Sequence, residues 1–271
     1  MTSFEKLKKK TENGLHICVG LDSDINKIPE HLRSSKNPIL EFNREIIEKT
    51  KDIAAAYKLN LAFYESEGIP GMETMQETLS LIPEDVLTIG DAKRGDIGNT
   101  SQMYAHSLFD HFGFDASTLN PYMGIDSVKP FLDYSGKLNF ILALTSNKSN
   151  GDFEKLKLEN GRYLFQEVIE KINLWNTNNN CGLVFGATNS EELFDNVHSF
   201  SKIPALVPGI GAQGGSLEDV VKAFASVKSN LYVINISRAL IYADSSEEFG
   251  NSARTELVKF NDKIAGLKKN L

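Results

Sequence analysis

Short runs in which nearly every residue is apolar alternate along this chain with longer stretches that are apolar on one face only. The runs are HICVGLD (16–22), AAAYKLN (54–60), VLTIGDAK (86–93), FDASTLNP (114–121), NFILALTS (139–146), CGLVFGAT (181–188), IPALVPGI (203–210) and LYVINIS (231–237). Their length and near-continuous apolar character predict strands buried on both faces. In EFNREIIEKTKDIA (41–54), Phe42, Ile46, Ile47, Ile53 and Ala54 share one face and charges occupy the other, which predicts a helix. Helices are also expected over 70–82, 98–112, 124–134, 160–175, 189–200, 216–226 and 246–268. Eight strand–helix units in 271 residues predict an α/β fold, a single-domain (β/α)8 barrel. Thr2 and Glu5 form a capping box that opens a helical extension over 1–14. A doubly wound open sheet is the rival, but the first strand ends in GLDSD and lacks the G-x-G-x-x-G turn of that fold.

Composition narrows the class. Apolar content of 41% and charged content of 24% are those of an ordinary globular chain. A net charge of −7 argues against a nucleic-acid binder, yet leaves room for a small anion held by a local basic cluster. Two cysteines, Cys18 and Cys181, each lie beside an apolar run and read as core thiols of a reducing, cytoplasmic compartment. The charged start MTSFEKLKKKTENG lacks the apolar centre of a signal peptide, and no segment reaches the roughly 18 apolar residues of a membrane span.

The strand ends carry the candidate chemistry. They finish on Asp22, Lys58 with Asn60, Asp91 with Lys93, Asn120, Thr145 with Ser146, Thr188, Pro208, and Ser237 with Arg238. In a barrel these positions converge on the carboxyl rim, where barrel enzymes place their sites. Asp91 and Lys93 are two apart on a strand and so share a face. A lysine caged by acids in a dry cleft stays charged, and serves as proton donor and electrostatic anchor. A salt-bridged rim without chemistry is the plainer reading. The segment VPGIGAQGGSLEDV (207–220) brings Gly209, Gly211, Gly214 and Gly215 to the start of a helix, and Arg238 follows the next strand. That pairing suits phosphate. The five histidines show no metal-ligand spacing, and no G-x-S-x-G elbow supports a serine hydrolase. The long gaps after strands 1 and 5 are candidate functional loops.

The segment DAKRGDIGNT (91–100) resembles the D-x-K-x-x-D-I-x-x-T signature of the orotidine 5′-phosphate decarboxylase family. CVGLDSD, AYKLNLAFYE, NPYMGIDSVKPF, LALTSNKS, LVPGIGAQGG and NISRALIYA resemble further blocks of its bacterial and apicomplexan branch, in order along nearly the whole chain. The resemblance implies a homodimeric (β/α)8 barrel that converts orotidine 5′-monophosphate to UMP and CO2 with no metal or organic cofactor. It implies that Lys93 donates the proton and that Lys58, Asp91 and Asp96 complete a charged tetrad. Asp96, Ile97 and Thr100 would reach the neighbouring subunit's site. Asp22 and Asn60 would hold the ribose hydroxyls, Ser146 the pyrimidine edge, and Pro208 would line its pocket. Gln213 and Arg238 would grip the phosphate, helped by backbone N–H groups near Gly215 and Ser237. Ile236 stands in NISR where a smaller residue is expected, and Arg94 is expected at a solvent-side or interface position. Two alternatives stay open: a Mg2+-dependent sugar-phosphate decarboxylase or synthase of the same superfamily, and a non-catalytic nucleotide-binding barrel.

Overall fold

The computed structural model describes residues 1–211 and 214–271. Eight parallel strands close in sequence order into a barrel: β1 Ile17–Gly20, β2 Ala56–Asn60, β3 Leu87–Arg94, β4 Ala116–Leu119, β5 Leu138–Leu144, β6 Cys181–Phe185, β7 Ala205–Val207 and β8 Tyr232–Ile236, with β8 pairing back onto β1. The helices are α1 Ser3–Glu12, α2 Pro38–Thr50, α3 Leu61–Glu65, α4 Gly68–Ser80, α5 Gly98–His106, α6 Ile125–Leu132, α7 Leu164–Trp175, α8 Ser190–Asn196, α9 Leu217–Ser226, α10 Arg238–Ile241 and α11 Phe249–Lys269. The strands are mostly shorter than their apolar runs: the run 203–210 yields the three residues of β7, and 114–121 the four of β4. The short helices α3 and α10 have too few residues to show a period, and both begin at a strand's carboxyl end.

Side chains alternate across each strand, so the barrel has two apolar layers. The inner one takes Cys18, Ala56, Leu87 with Ile89, Ala116, Leu138 with Phe140, Val184, Leu206 and Val233, at least one from every strand. Leu7 of α1 joins this inner set at 0% exposure. The Thr2–Glu5 capping box closes the start of α1, and Lys6 and Lys10 pair with Asp115 and Asp85. The extension therefore plugs the amino end of the barrel. The outer layer, including Ile17, Val19, Tyr57, Leu59, Ile141 and Ile234, packs against the helices. Ile236 is buried in that outer layer, where its bulk meets helix side chains and not the barrel interior.

On the inner face each strand passes from apolar to polar in steps of two. β1 runs Cys18, Gly20, then Asp22. β2 runs Ala56, Lys58, Asn60. β3 runs Leu87, Ile89, Asp91. β8 runs Val233, Asn235, then Ser237. The lower half of the barrel is thus a packed hydrocarbon plug, and the upper half is a polar cup.

Candidate active site

The cup is a cavity of about 460 Å³ at the carboxyl rim. Asp22, Lys58, Asn60, Asp91, Lys93, Ser146, Pro208, Ser237 and Arg238 all line it, as do Thr118, Thr145, Glu154 and Asn235, with Leu142, Val184 and Leu206 as its apolar floor. Lys58 is the most deeply set charge, its side chain 5% exposed. Its Nζ lies 2.9 Å from Asp91 Oδ2 and 3.5 Å from Asp22 Oδ1. The other oxygen of Asp91, Oδ1, accepts from Lys93 Nζ at 2.7 Å. Burial opposes the charge on Lys58, but Asp91 and then Asp22 outweigh it and raise the lysine above its ordinary pKa. Burial likewise favours a neutral Asp91, and Lys58 and Lys93 overcome it and hold the carboxyl well below the usual carboxylate range. Both directions keep the Lys58–Asp91 pair ionised at neutral pH.

Lys93 differs from Lys58 in being 51% exposed, its amine standing at the cavity surface and not in its wall. It arrives there by a route that strand alternation does not give. The β3–β4 ladder shifts register between Gly90 and Arg94, and Lys93 takes φ +48°, in the left-handed region that residues with a Cβ rarely adopt. Asp91 and Lys93 do share the cavity, but through a bulge and not through regular i, i+2 pleating. Arg94, just beyond, pairs with Glu65 and lies 5.1 Å over the Tyr104 ring, outside the cavity.

Other elements hold the rim in place. Asn60 Oδ1 accepts from Ala62 N–H and caps α3. A Cβ on Gly20 would stand 1.9 Å from Ser237 Oγ, so glycine makes room for that hydroxyl over β1. The segment after β5 folds back so that the Glu154 carboxylate accepts from Thr145 N–H at 2.7 Å and from its hydroxyl at 2.8 Å.

Not every expected residue joins the site. Asn120 and Thr188 lie outside the cavity: Asn120 gives its N–H to Arg94 O and accepts from Tyr122 N–H, and the Thr188 hydroxyl donates to Ser146 O. Both follow the end of a strand, where the alternation that points a side chain inward has stopped. Asp96, Ile97 and Thr100 are on the turn and first residues of α5, and within one chain they do not line the cavity. Asp96 Oδ1 accepts the Ile97 N–H instead. The Gly215 N–H donates to Gly209 O at 3.0 Å, and Gly215 packs against Ala187. Gln213, with Ala212, lies outside the described residues.

Thr118 and Asn235 were not singled out by sequence. Thr118 is two residues from the inner-facing Ala116, and Asn235 two from Val233, so the period-two phase of each strand is the signal that finds them. The histidines stay out of the cavity, His16 being buried with its ring stacked on Tyr232. Both cysteines are buried thiols pushed up to about 12 by burial, too high for a thiolate at neutral pH. Among the described residues no three His, Cys, Asp or Glu side chains gather to hold a metal ion, and no helix is long and apolar enough to cross a membrane.

A closed eight-stranded parallel barrel with a buried lysine–aspartate cluster at its carboxyl rim defines the class: a (β/α)8-barrel enzyme. Residues 16–251 match the model of the Orotidine 5′-phosphate decarboxylase / HUMPS family, and the chain belongs to that family. It is 47% identical to the orotidine 5′-phosphate decarboxylase of Parabacteroides distasonis over 266 residues, covering 97% of this chain and 94% of that one. The structure of Leishmania donovani OMP decarboxylase superposes with a TM-score of 0.85 at 33% identity, covering 99% of each chain. The UMP synthase of the same organism superposes with a TM-score of 0.87 at 35% identity, and the chain spans 57% of that longer protein.

Proposed function

We propose that Lys93 protonates C6 of the pyrimidine as CO2 departs from orotidine 5′-monophosphate, and that Lys58, Asp91 and a partner subunit's Asp96 hold it charged and in place. The overall reaction is decarboxylation of orotidine 5′-monophosphate to UMP, a carboxy-lyase step of pyrimidine biosynthesis. Loss of CO2 leaves a lone pair in the ring plane, where the π system cannot spread it. A fixed ammonium beside that lone pair stabilises it and then supplies the proton. The observation that carries this reading is the Lys58–Asp91–Lys93 chain of contacts, 2.9 and 2.7 Å, at the mouth of the cavity. Asp91 bridges two lysines, so its charge is satisfied without a metal. Lys58 Nζ stands between Asp22 and Asp91, where a divalent cation would otherwise be drawn.

The remaining assignments follow the chemistry of the rim. Asp22 and Asn60, next to Lys58, suit the ribose hydroxyls. Ser146 suits the pyrimidine edge, and Pro208 its flank. Arg238, which lines the cavity, suits the phosphate, as do the N–H groups near Ser237 and, by motif alone, Gln213; Gly215 joins them if its bond to Gly209 opens. A homodimer is supported by apolar side chains left in water on adjacent elements, with Ile97 57%, Met103 61% and Tyr122 79% exposed. There Asp96, Ile97 and Thr100 would enter the neighbouring cavity. Two buried free cysteines fit a reducing, cytoplasmic setting.

The decisive assay is the decay of orotidylate absorbance on adding purified protein, with and without EDTA. Decay that EDTA leaves unchanged is the expected result. Decay abolished by EDTA would assign the chain to Mg2+-dependent chemistry, and no decay would leave a nucleotide-binding barrel. The decarboxylase name of the Parabacteroides distasonis relative argues against both.

A further inference from the structure

The β3–β4 ladder pairs Ile89 with Ala116 and Gly90 with Ser117, and resumes with Arg94 opposite Leu119. Asp91, Ala92 and Lys93 therefore face a single residue, Thr118. Its side chain does what the broken ladder cannot. The Thr118 hydroxyl donates to Asp91 Oδ1 at 2.8 Å and accepts the Lys93 backbone N–H at 2.9 Å. Thr118 is 1% exposed, so neither bond has bulk water as a ready substitute. Asp91 Oδ1 is the same oxygen that receives the Lys93 ammonium. One hydroxyl thus touches both ends of the loop formed by Lys93: its backbone, in the left-handed region, and the carboxylate that anchors its amine.

We propose that Thr118 is a positioning residue for the decarboxylation, fixing the Asp91 carboxylate and the Lys93 backbone together so that the Lys93 ammonium points into the cavity. The proposal rests on the reading of Lys93 as proton donor and deepens it. A lysine side chain has several rotatable bonds, and this one is half exposed. Without the Thr118 hydroxyl, the Lys93 N–H loses its acceptor, Asp91 Oδ1 loses a donor, and the amine is free to sample solvent-facing rotamers. The substrate's ribose and phosphate contacts lie elsewhere, so the defect belongs to turnover and not to affinity.

Thr118→Val keeps the shape and removes the hydroxyl, Thr118→Ser keeps the hydroxyl and removes the methyl, and Thr118→Ala serves if valine impairs folding. The expected result is kcat about 10- to 100-fold lower in the Val or Ala variant, with the dissociation constant for UMP within about threefold of the parent. The Ser variant is expected to recover kcat to within about threefold of the parent. The proposal is overturned if Val and Ala turn over like the parent, if Ser is as slow as they are, or if the loss appears in UMP affinity. Lys93→Ala is assayed alongside: activity retained there would reject the proton-donor reading itself, whereas inactivity there with normal Thr118→Val turnover would reject only the role of Thr118.

Discussion

Lys58 holds its ammonium between two carboxylates in a wall that is almost closed to water, and its neighbours decide its chemistry. Removing Asp91 would leave two lysines without their shared counter-ion, one of them buried, a change that costs about 3–5 kcal/mol in comparable buried pairs. Further round the rim, Arg238 begins α10 at the end of β8 and lines the same cavity. It takes no part in the lysine–aspartate contacts, so its loss tests the proposed phosphate role without touching the proposed proton-transfer residues. If Arg238 is the phosphate ligand as proposed, Arg238→Ala is expected to lower kcat/KM on the order of 100-fold, because binding at the phosphate would contribute to transition-state stabilisation as well as to affinity. Steady-state kinetics with orotidine 5′-monophosphate checks this, and an unchanged kcat/KM removes Arg238 from the phosphate role. Asp91, Lys93 and Asp96 were legible in sequence as D-x-K-x-x-D, and Asp22, Lys58, Asn60, Ser146 and Pro208 as polar or special strand ends; of these Asp96 alone does not line the cavity. Thr118 was passed over, because a threonine inside an apolar run looks like strand filler; its period-two phase turns it inward, and only the register of β3 shows which groups it serves.

Elements place these residues with little tolerance. Asp22, Lys58, Asp91 and Ser237 reach the cup because each continues the inner-facing phase of its strand, which the apolar pattern below already sets. That phase was readable, and so was the (β/α)8 count. The bulge at Asp91–Lys93 was not, since it arises from how β3 meets β4 and leaves no mark in either run alone. Nor was the exclusion of Asn120 and Thr188, which depends on where the strand stops. Close backbone approach is the other constraint. A Cβ on Gly186 would stand 2.6 Å from Ser146 N and 2.8 Å from Thr145 C, both backbone atoms that cannot rotate away. Gly186→Ala is therefore expected to destabilise the fold by about 1–3 kcal/mol and to raise KM by displacing Ser146, the proposed contact to the pyrimidine edge. Thermal unfolding and steady-state kinetics on the same preparation measure both, and a variant unchanged in both would show that the β5–β6 rim has slack.

The whole molecule raises a question that one chain does not answer: Asp96 belongs to the tetrad by motif, yet it lies outside its own cavity. The proposed twofold dimer would solve this, because each copy would lend its α5 turn to the other's site. The arrangement makes a quantitative prediction. A dimer of one Lys93→Ala chain and one Asp96→Ala chain has one site carrying both lesions and one site carrying neither. Mixing the two inactive variants with subunit exchange, so that about half of the dimers are hybrids, is expected to restore roughly a quarter of parental activity. Mixtures as inactive as their components would place Asp96 in its own chain's site, and an Asp96→Ala variant that is active by itself would place it outside catalysis. The barrel's amino end, plugged by Leu7 of α1 and tied by Lys6–Asp115 and Lys10–Asp85, lies at the opposite pole and serves stability.

The central claim is that a charged lysine at position 93, anchored by Asp91, both stabilises the forming C6 carbanion and protonates it. The most direct measurement is turnover of orotidine 5′-monophosphate by Lys93→Ala, paired with calorimetric binding of UMP to the same variant. The account predicts turnover reduced by more than roughly 10³-fold with UMP affinity within about tenfold of the parent. Turnover within about tenfold of the parent, in a folded variant that still binds UMP, would contradict it.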